Sequence, residues 1–540
     1  MSGTGKSVVY PITPSGESII DSILIGSMWD ETTLTFSMPT SNSEYSSTYG
    51  GGEDATLDGI TAAMSDVVFY ALDTDGSASD GFSVEGFTNL TLTYTTSTSA
   101  TIRVAQTSTD PYGAYTAWSY YPWTSESGGD VWFLDTYYNY TNPVAGDYAY
   151  LTILHELGHS LGLSHGHTAD GFGTLPYDYD SMEYTVMTYR SYVGADYTYG
   201  YVNETYGFAQ SFMMLDIAAL QYLYGADYTT NSGNTVYKWT PGSGVTMVDG
   251  SAAITPGANR IFATIWDGGG NDTYDLSAYT TGVSVDLAPG AYSVFSTTQL
   301  ADLGDGNDAS GNIYNALLFE DDTRSLIENA IGGSGDDLLS GNQGKNTLEG
   351  NDGDDELRGH GGKDKLLGGD GDDKLRGGNA NDTLRGGKDR DSIYGDKGGD
   401  VIYGDDGNDK LFGGAGNDTL IGGAGKDTIT GGAGRDTMTG KGGADTFVFN
   451  DASESKANLS KTDTITDFKS GTDKLDLSGL TGGTFTLNLG GSFTGTGPSI
   501  ISVQKGSDLF IRADVDGDGV ADFGVLLEGI SSVTAADFLL

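Results

Sequence analysis

GGSGDDLLS at 332–340, GGDGDDKLR at 368–376 and GGAGNDTLI at 413–421 are three of thirteen contiguous nonapeptides that run from Gly332 to Val448. Position 1 is Gly in all thirteen, and position 8 is apolar in all thirteen, from Leu339 through Leu375 and Ile402 to Phe447. Position 6 is Asp in twelve, with Asn346 the exception, and position 4 is Gly in eleven, with Ala380 and Asp389 the exceptions. A disordered glycine-rich linker has no reason to keep an apolar residue in fixed phase, so the stretch folds. The glycines allow the φ > 0 geometry of tight turns. The three residues around position 8 form a short strand whose central side chain points into a thin core. Two repeats make one 18-residue coil, with carbonyls and one carboxylate at each turn. Hard oxygen ligands at that density suit Ca²⁺.

The pattern resembles the GGxGxDxUx repeat of RTX proteins. The resemblance implies a parallel β-roll with calcium held between a turn and the turn one coil later. It makes Asp337, Asp355, Asp364, Asp373, Asp382, Asp391, Asp400, Asp409, Asp418, Asp427, Asp436 and Asp445 the carboxylate ligands. Gly335, Gly353, Gly371 and Gly416 are turn ligands through their carbonyls. Thirteen repeats allow at most 13 − 2 = 11 such sites, and those touching Asn346, Ala380 or Asp389 are expected to be the weak ones.

Bulk composition agrees with a cation-dependent fold. The chain has 26 basic and 75 acidic residues, a net charge of −49, and no cysteine. That charge repels nucleic acid and anionic membrane surfaces, and multivalent cations relieve it. Without cysteine there is no disulfide framework, no cysteine-ligated zinc and no cysteine nucleophile. No run of 18 apolar residues predicts a membrane span. The opening MSGTGKSVVYPITPSGES lacks the apolar stretch of a secretory signal peptide. Its GTGKS is no phosphate loop, because the preceding glycine and strand are missing.

Upstream of the repeats the chain reads as mixed α/β. Strands are expected around 33–38, 68–72, 90–104 and 129–134, and helices over 147–162 and 213–225. WDGGGNDTYDLS, 266–277, is an isolated half-match to the repeat that ends in a strand. Beyond residue 449, DTITDFKSGTDKLDLSGL and DLFIRADVDGDGVADFGVLLEG alternate like paired strands. DVDGDGVAD, 514–522, imitates the start of an EF-hand loop, but the twelfth position is Val525, so a hairpin turn is the better reading.

The chemistry is concentrated in LHELGHSLGLSHGH, 154–167, which holds four of the five histidines. His155 and His159, four apart on a helix, share one face and can grip one ion. Glu156 beside them can reach a water on that ion and take its proton. Gly162 stops the helix and turns the chain, which returns His165 as a third ligand. The run HExxHxxGxxH is the metzincin signature. Met187 in TVMTYR, 22 residues after His165, matches the methionine turn of that clan, and Tyr189 matches a tyrosine placed near the metal.

Together these motifs resemble the serralysin-type RTX metalloproteases over nearly the whole chain. The resemblance implies an α+β metzincin catalytic domain followed by an all-β parallel β-roll (RTX) domain with a C-terminal β-strand cap. The expected boundaries are a leader at 1–18 that is removed on activation, a zinc protease domain at 19–240, a β-rich connection at 241–331, the roll at 332–448 and the cap at 449–540. It implies one catalytic Zn²⁺ on His155, His159 and His165, with Tyr189 as fourth ligand and oxyanion stabiliser, and Glu156 as general base. It also implies several structural Ca²⁺. Substrate peptides are expected to pair with an edge segment at Asp130, Val131, Trp132 and Phe133. Expected partners are protein substrates, the type I export machinery that reads a tail like DFLL, and a small protein inhibitor. The protein is expected to be a secreted, extracellular monomer.

Two features depart from the family. Gly166 stands where a proline is usual, followed by His167, and the repeat block is long. His167 falls outside the motif and reads as a loop histidine near the cleft, behind Tyr189 as a candidate fourth ligand. Two rival readings are a non-catalytic calcium-ordered surface or adhesion protein, and an RTX lipase. The lipase needs a GxSxG elbow at a strand-to-helix turn; GHSLG at 158–162 and GLSHG at 162–166 have that spacing, but both fall inside the HExxHxxGxxH run.

Overall fold

The computed structural model describes residues 6–46, 49, 52–73, 80–113, 115–198, 200–481 and 483–540. Residues 1–5 of the expected leader lie outside that set. The chain divides into two compact units, residues 1–275 with 287–327, and residues 276–286 with 328–540.

The first unit is built on a twisted sheet. Its main strands are β1 (Thr33–Ser37), β2 (Thr91–Tyr94), β3 (Ile102–Thr107), β4 (Ala117–Ser119) and β5 (Asp130–Leu134). The spatial order is β2-β1-β3-β5-β4, parallel throughout except for the antiparallel β4/β5 pair, and Leu57–Asp58 adds to β3. Every side chain of β5 is buried, as expected of a strand covered on both faces.

The longest helices of the unit among the described residues are α1 (Ala62–Leu72), α2 (Tyr148–Leu161) and α3 (Met214–Tyr224). The stretch 68–72, expected as a strand, is the second half of α1. Thr61 caps that helix, its hydroxyl accepting a hydrogen bond from the Met64 amide. The apolar run VVFYAL is too short for its period to separate strand from helix. The expected strand 90–104 is two strands, β2 and β3. Asp147 caps α2 through the Tyr150 amide at 2.8 Å. All residues of α2 from Ala149 to Leu161 are buried, so the helix runs through the core. Residues of the expected leader are laid into this unit. Val8–Val9 pairs with Met28–Trp29, Ile12 is buried, and the Lys6 ammonium donates to the carbonyls of Glu126 (3.0 Å) and Gly128 (2.5 Å).

The second unit is the roll. Strands of alternate repeats pair in parallel, 18 residues apart: Leu339 with Leu357 in one sheet, Leu348 with Leu366 and Leu366 with Leu384 in the other. All thirteen position-8 side chains, from Leu339 to Phe447, are fully buried between the two sheets. Each contributes about 1.5–3 kcal/mol of apolar burial. At Gly416, where φ is +151°, a Cβ would lie 1.4 Å from the carbonyl oxygen of Gly398, so that turn admits no side chain. At the same repeat position Ala380 and Asp389 take a different, left-handed conformation, at φ +79° and +72°.

Beyond the repeats, Ser499–Lys505, Asp508–Asp514 and Phe523–Leu527 form an antiparallel meander. The sequence DVDGDGVAD is the hairpin turn of its second pair. Phe538–Leu539 adds in parallel to Lys474–Asp476, closing the other sheet.

Candidate metal centre

The site begins with the spacing of two histidines on α2. His155 and His159 are buried on one face of the helix, with ring centroids 4.6 Å apart. The helix stops at Gly162, whose φ of +109° is the left-handed cap, and a Cβ there would sit 2.6 Å from the carbonyl oxygen of Ser27. The turn brings His165 back, so that its Nε2 lies 3.2 Å from that of His155 and 3.1 Å from that of His159.

Each helical histidine is oriented from behind. The Nδ1–H of His155 donates to the carbonyl of Val186 at 2.7 Å, and that of His159 to the carbonyl of Leu163 at 2.8 Å. These bonds fix the tautomer that leaves Nε2 as a free lone pair pointing inward, the usual arrangement of ligating histidines. Burial pushes His155 down to about 4 and His159 well below its ordinary value, and burial with the neighbouring rings does the same to His165. The rings are therefore neutral at pH 7. Three neutral nitrogens at this spacing fit one Zn²⁺, whose bonds to nitrogen are about 2.0–2.1 Å and tetrahedral.

Glu156 is buried beside the triad. Its Oε2 has no hydrogen-bond partner among the described residues, and burial raises its carboxyl to about 8. An isolated buried carboxylate is costly, and a nearby cation would pull its pKa back down. The ring of Tyr189 lies 5.5 Å from that of His155 and 4.7 Å from that of His165. Met187 lies beneath the helix. A Cβ on Gly158 would meet its Sδ at 2.7 Å, so the glycine inside HELGH is what lets the methionine turn pack there.

One essential support was not visible in the motifs. Asp216, fully buried in the first turn of α3, accepts hydrogen bonds from the amides of Val186 (2.8 Å) and Met213 (2.9 Å) and from the Thr185 hydroxyl (2.5 Å). The only local signal was an aspartate at the third position of a helix. The expected substrate edge is corrected by the sheet order. Asp130, Val131, Trp132 and Phe133 form β5, which lies between β3 and β4, and the edge belongs to β4. Asp130 points inward, where its carboxylate pairs with the Arg103 guanidinium at 2.7 and 2.8 Å. Thr116 and Tyr120 bond inward to β5, so by strand alternation Ala117 and Ser119 turn their backbone groups outward. Beside the histidines a cavity of about 500 Å³ is walled by Tyr115, Tyr138, Tyr148, Tyr201 and Phe208.

In the roll, the repeat aspartates share one geometry. From Asp355 onward, the Oδ1 of each accepts the amide of the position-6 residue one coil earlier, as Asp355 does from Asp337, Asp364 from Asn346 and Asp391 from Asp373. Oδ2 of every repeat aspartate from Asp355 to Asp436 is buried with no hydrogen-bond partner among the described residues. A Cβ on Gly359 would run into the Oδ2 of Asp364 and lie 2.6 Å from the carbonyl oxygen of Gly377, so glycine at position 1 is what lets the carboxylate sit there. An oxygen-only set of this kind fits Ca²⁺. The amide ladder extends past the repeats to Asp463 and Asp473, which the nonapeptide pattern does not reach.

Comparison with known proteins adds three findings. Residues 226–540 match the family described as Peptidase M10 serralysin C terminal. The chain is 34% identical over 246 residues to serralysin of Proteus mirabilis, covering 43% of this chain and 44% of that one. It is 32% identical over 431 residues to metallopeptidase AprA of Pseudomonas marginalis, covering 77% of this chain and 70% of that one. The match thus spans less than half the length of the Proteus relative. Among the described residues, no helix is long and apolar enough to cross a membrane.

Proposed function

The chain belongs to the serralysin family, and from that premise we propose that it is a secreted zinc endopeptidase acting on extracellular proteins, with a metzincin-type catalytic domain. The observation that carries the reading is the convergence of three neutral histidine nitrogens, within 4.8 Å of one another, beside Glu156, whose buried Oε2 has no hydrogen-bond partner among the described residues.

Zinc held by His155, His159 and His165 would supply Lewis acidity, lowering the pKa of water to roughly 7 and polarising the scissile carbonyl. The residues of the chain do the rest. Glu156 takes the proton of the attacking water and returns it to the departing amide nitrogen. Tyr189 donates its phenolic hydrogen to the oxygen on which charge develops. A substrate strand pairs with the outward groups of Ala117 and Ser119 on β4, so main-chain bonding holds many sequences. The tyrosine-walled cavity next to Glu156 receives a large apolar side chain beside the scissile bond.

The roll serves export and folding. At low calcium the buried carboxylates oppose compaction, and the chain stays unfolded for a type I exporter. Outside the cell, calcium binding becomes folding free energy. A casein zymogram at fixed calcium, with and without a zinc chelator, tests the activity. Clearing that the chelator abolishes and zinc restores is expected. Absence of clearing in the zinc-loaded protein would favour a non-catalytic surface role.

A further inference from the structure

We propose that His167 is a positioning residue for Tyr189, a role that rests on the zinc endopeptidase reading of the site. Nothing in the HExxHxxGxxH spacing uses His167, and it is not one of the three histidines whose nitrogens converge. Its ring nevertheless lies against that of Tyr189, at a centroid distance of 4.6 Å and a tilt of 40°. It also meets the rings of Tyr197, at 5.1 Å and 36°, and His165, at 5.2 Å and 35°. The guanidinium of Arg190 caps Tyr197, 4.6 Å from the ring centroid.

The column closes on itself. It starts at Tyr189 and ends at Arg190, the next residue in the chain. Arg190 is anchored by Asp180 at 2.7 Å, and the other oxygen of Asp180 takes the hydroxyl of Thr188 at 2.5 Å. The turn that carries Tyr189 is therefore tied down on both sides of it, and the ring of His167 packs against the phenol. The Nδ1 of His167 is buried without a hydrogen-bond partner among the described residues. Its ring packs against those of Tyr189, Tyr197 and His165, contacts that an aromatic side chain without nitrogen can reproduce. Ring pairs prefer tilted and offset arrangements of this kind.

Tyr189 has to present its hydroxyl to a small volume beside the histidines. Removing the brace widens the arc its ring can sweep, and small misplacements of a catalytic group cost up to about 100-fold in rate. The test uses the full-length, calcium-loaded protein as His167→Ala, His167→Phe and Tyr197→Ala. Zinc content, kcat and KM on a peptide substrate, and the phenolate-to-metal charge-transfer absorption of the copper-substituted protein are measured. Expected for His167→Ala are one equivalent of zinc, a kcat lowered about 10-fold or more, a KM changed less than about twofold, and a weakened band. His167→Phe should restore both rate and band. Tyr197→Ala, at the exposed end of the column, should give a smaller loss of kcat and still fold. Wild-type kcat in His167→Ala, loss of its zinc, or failure of His167→Phe to restore the rate would each overturn the proposal. If the unaltered protein shows no band, ligation by Tyr189 fails, and the kinetic comparison of the Ala and Phe variants still decides the role of His167.

Discussion

The carboxylate of Asp216 holds the amide of Val186 at 2.8 Å, and the carbonyl of the same Val186 holds Nδ1 of His155 at 2.7 Å. One residue, Val186, thus links the first turn of α3 to the first metal-facing histidine. Replacing Asp216 by Ala leaves two amides and a hydroxyl unsatisfied in the core. Buried donors without partners cost about 1–3 kcal/mol each. We expect Asp216→Ala to weaken zinc binding about 10- to 100-fold, the range for lost supporting bonds, and to lower the unfolding midpoint. Competition with a chromophoric chelator measures the first effect. Unchanged affinity would mean that His155 is positioned without this bond.

Ser119 turns its amide toward the free edge of β4. Proline at this position removes that donor, and an edge strand tolerates it. We expect Ser119→Pro to lower kcat/KM for extended peptides by about 10-fold, the equivalent of one strong hydrogen bond. Hydrolysis of a minimal dipeptide substrate should change little. Equal losses on both substrates would show that the edge does not pair with the peptide.

The roll should be pH-sensitive only without calcium. Burial lifts the carboxyls of Asp355, Asp382, Asp391, Asp418 and Asp427 to about 7 and that of Asp373 to about 8. In the unfolded chain the same groups titrate near 3.9. Between these values the folded state holds more protons than the unfolded one, so stability falls as pH rises through the window and levels off above about 8. Circular dichroism of the calcium-free protein should lose β signal between about pH 5 and pH 8. Saturating calcium should remove the dependence. A calcium-free signal that is flat over this range would contradict the account.

Ala380 and Asp389 stand in left-handed backbone at turns where the other repeats carry glycine. That conformation costs a residue with a Cβ about 1–2 kcal/mol, against about 0.4–1 kcal/mol of extra chain entropy for glycine in the unfolded state. Strain is the larger effect. Ala380→Gly should therefore stabilise the calcium-loaded roll by up to about 1 kcal/mol in denaturant unfolding. Destabilisation would show that the turn is not strained.

Features set by local spacing were readable from the chain. HELGH fixes two histidines by helical pitch, Gly162 marks the turn, and the nonapeptide period fixes both the 18-residue coil and the buried row from Leu339 to Phe447. Features set by distant pairing were not. Nothing local tells that β5 is flanked by β3 and β4, because apolar GDVWFL suits an inner strand as well as an edge. The second half of α1 failed for a different reason: its five apolar residues fit either period, and only the Thr61 cap spoke for a helix. Asp216 and Asp463 look like ordinary aspartates until the fold brings amides to their oxygens.

The central claim is that Glu156 is the base of a zinc peptidase, and Glu156→Gln tests it most directly. The amide matches the carboxylate in shape and cannot take the proton. The variant should bind one equivalent of zinc with unchanged affinity while casein hydrolysis falls by about 10²- to 10⁴-fold, the range for a lost general base. Hydrolysis within about twofold of the unaltered protein, with zinc fully bound, would contradict the assignment.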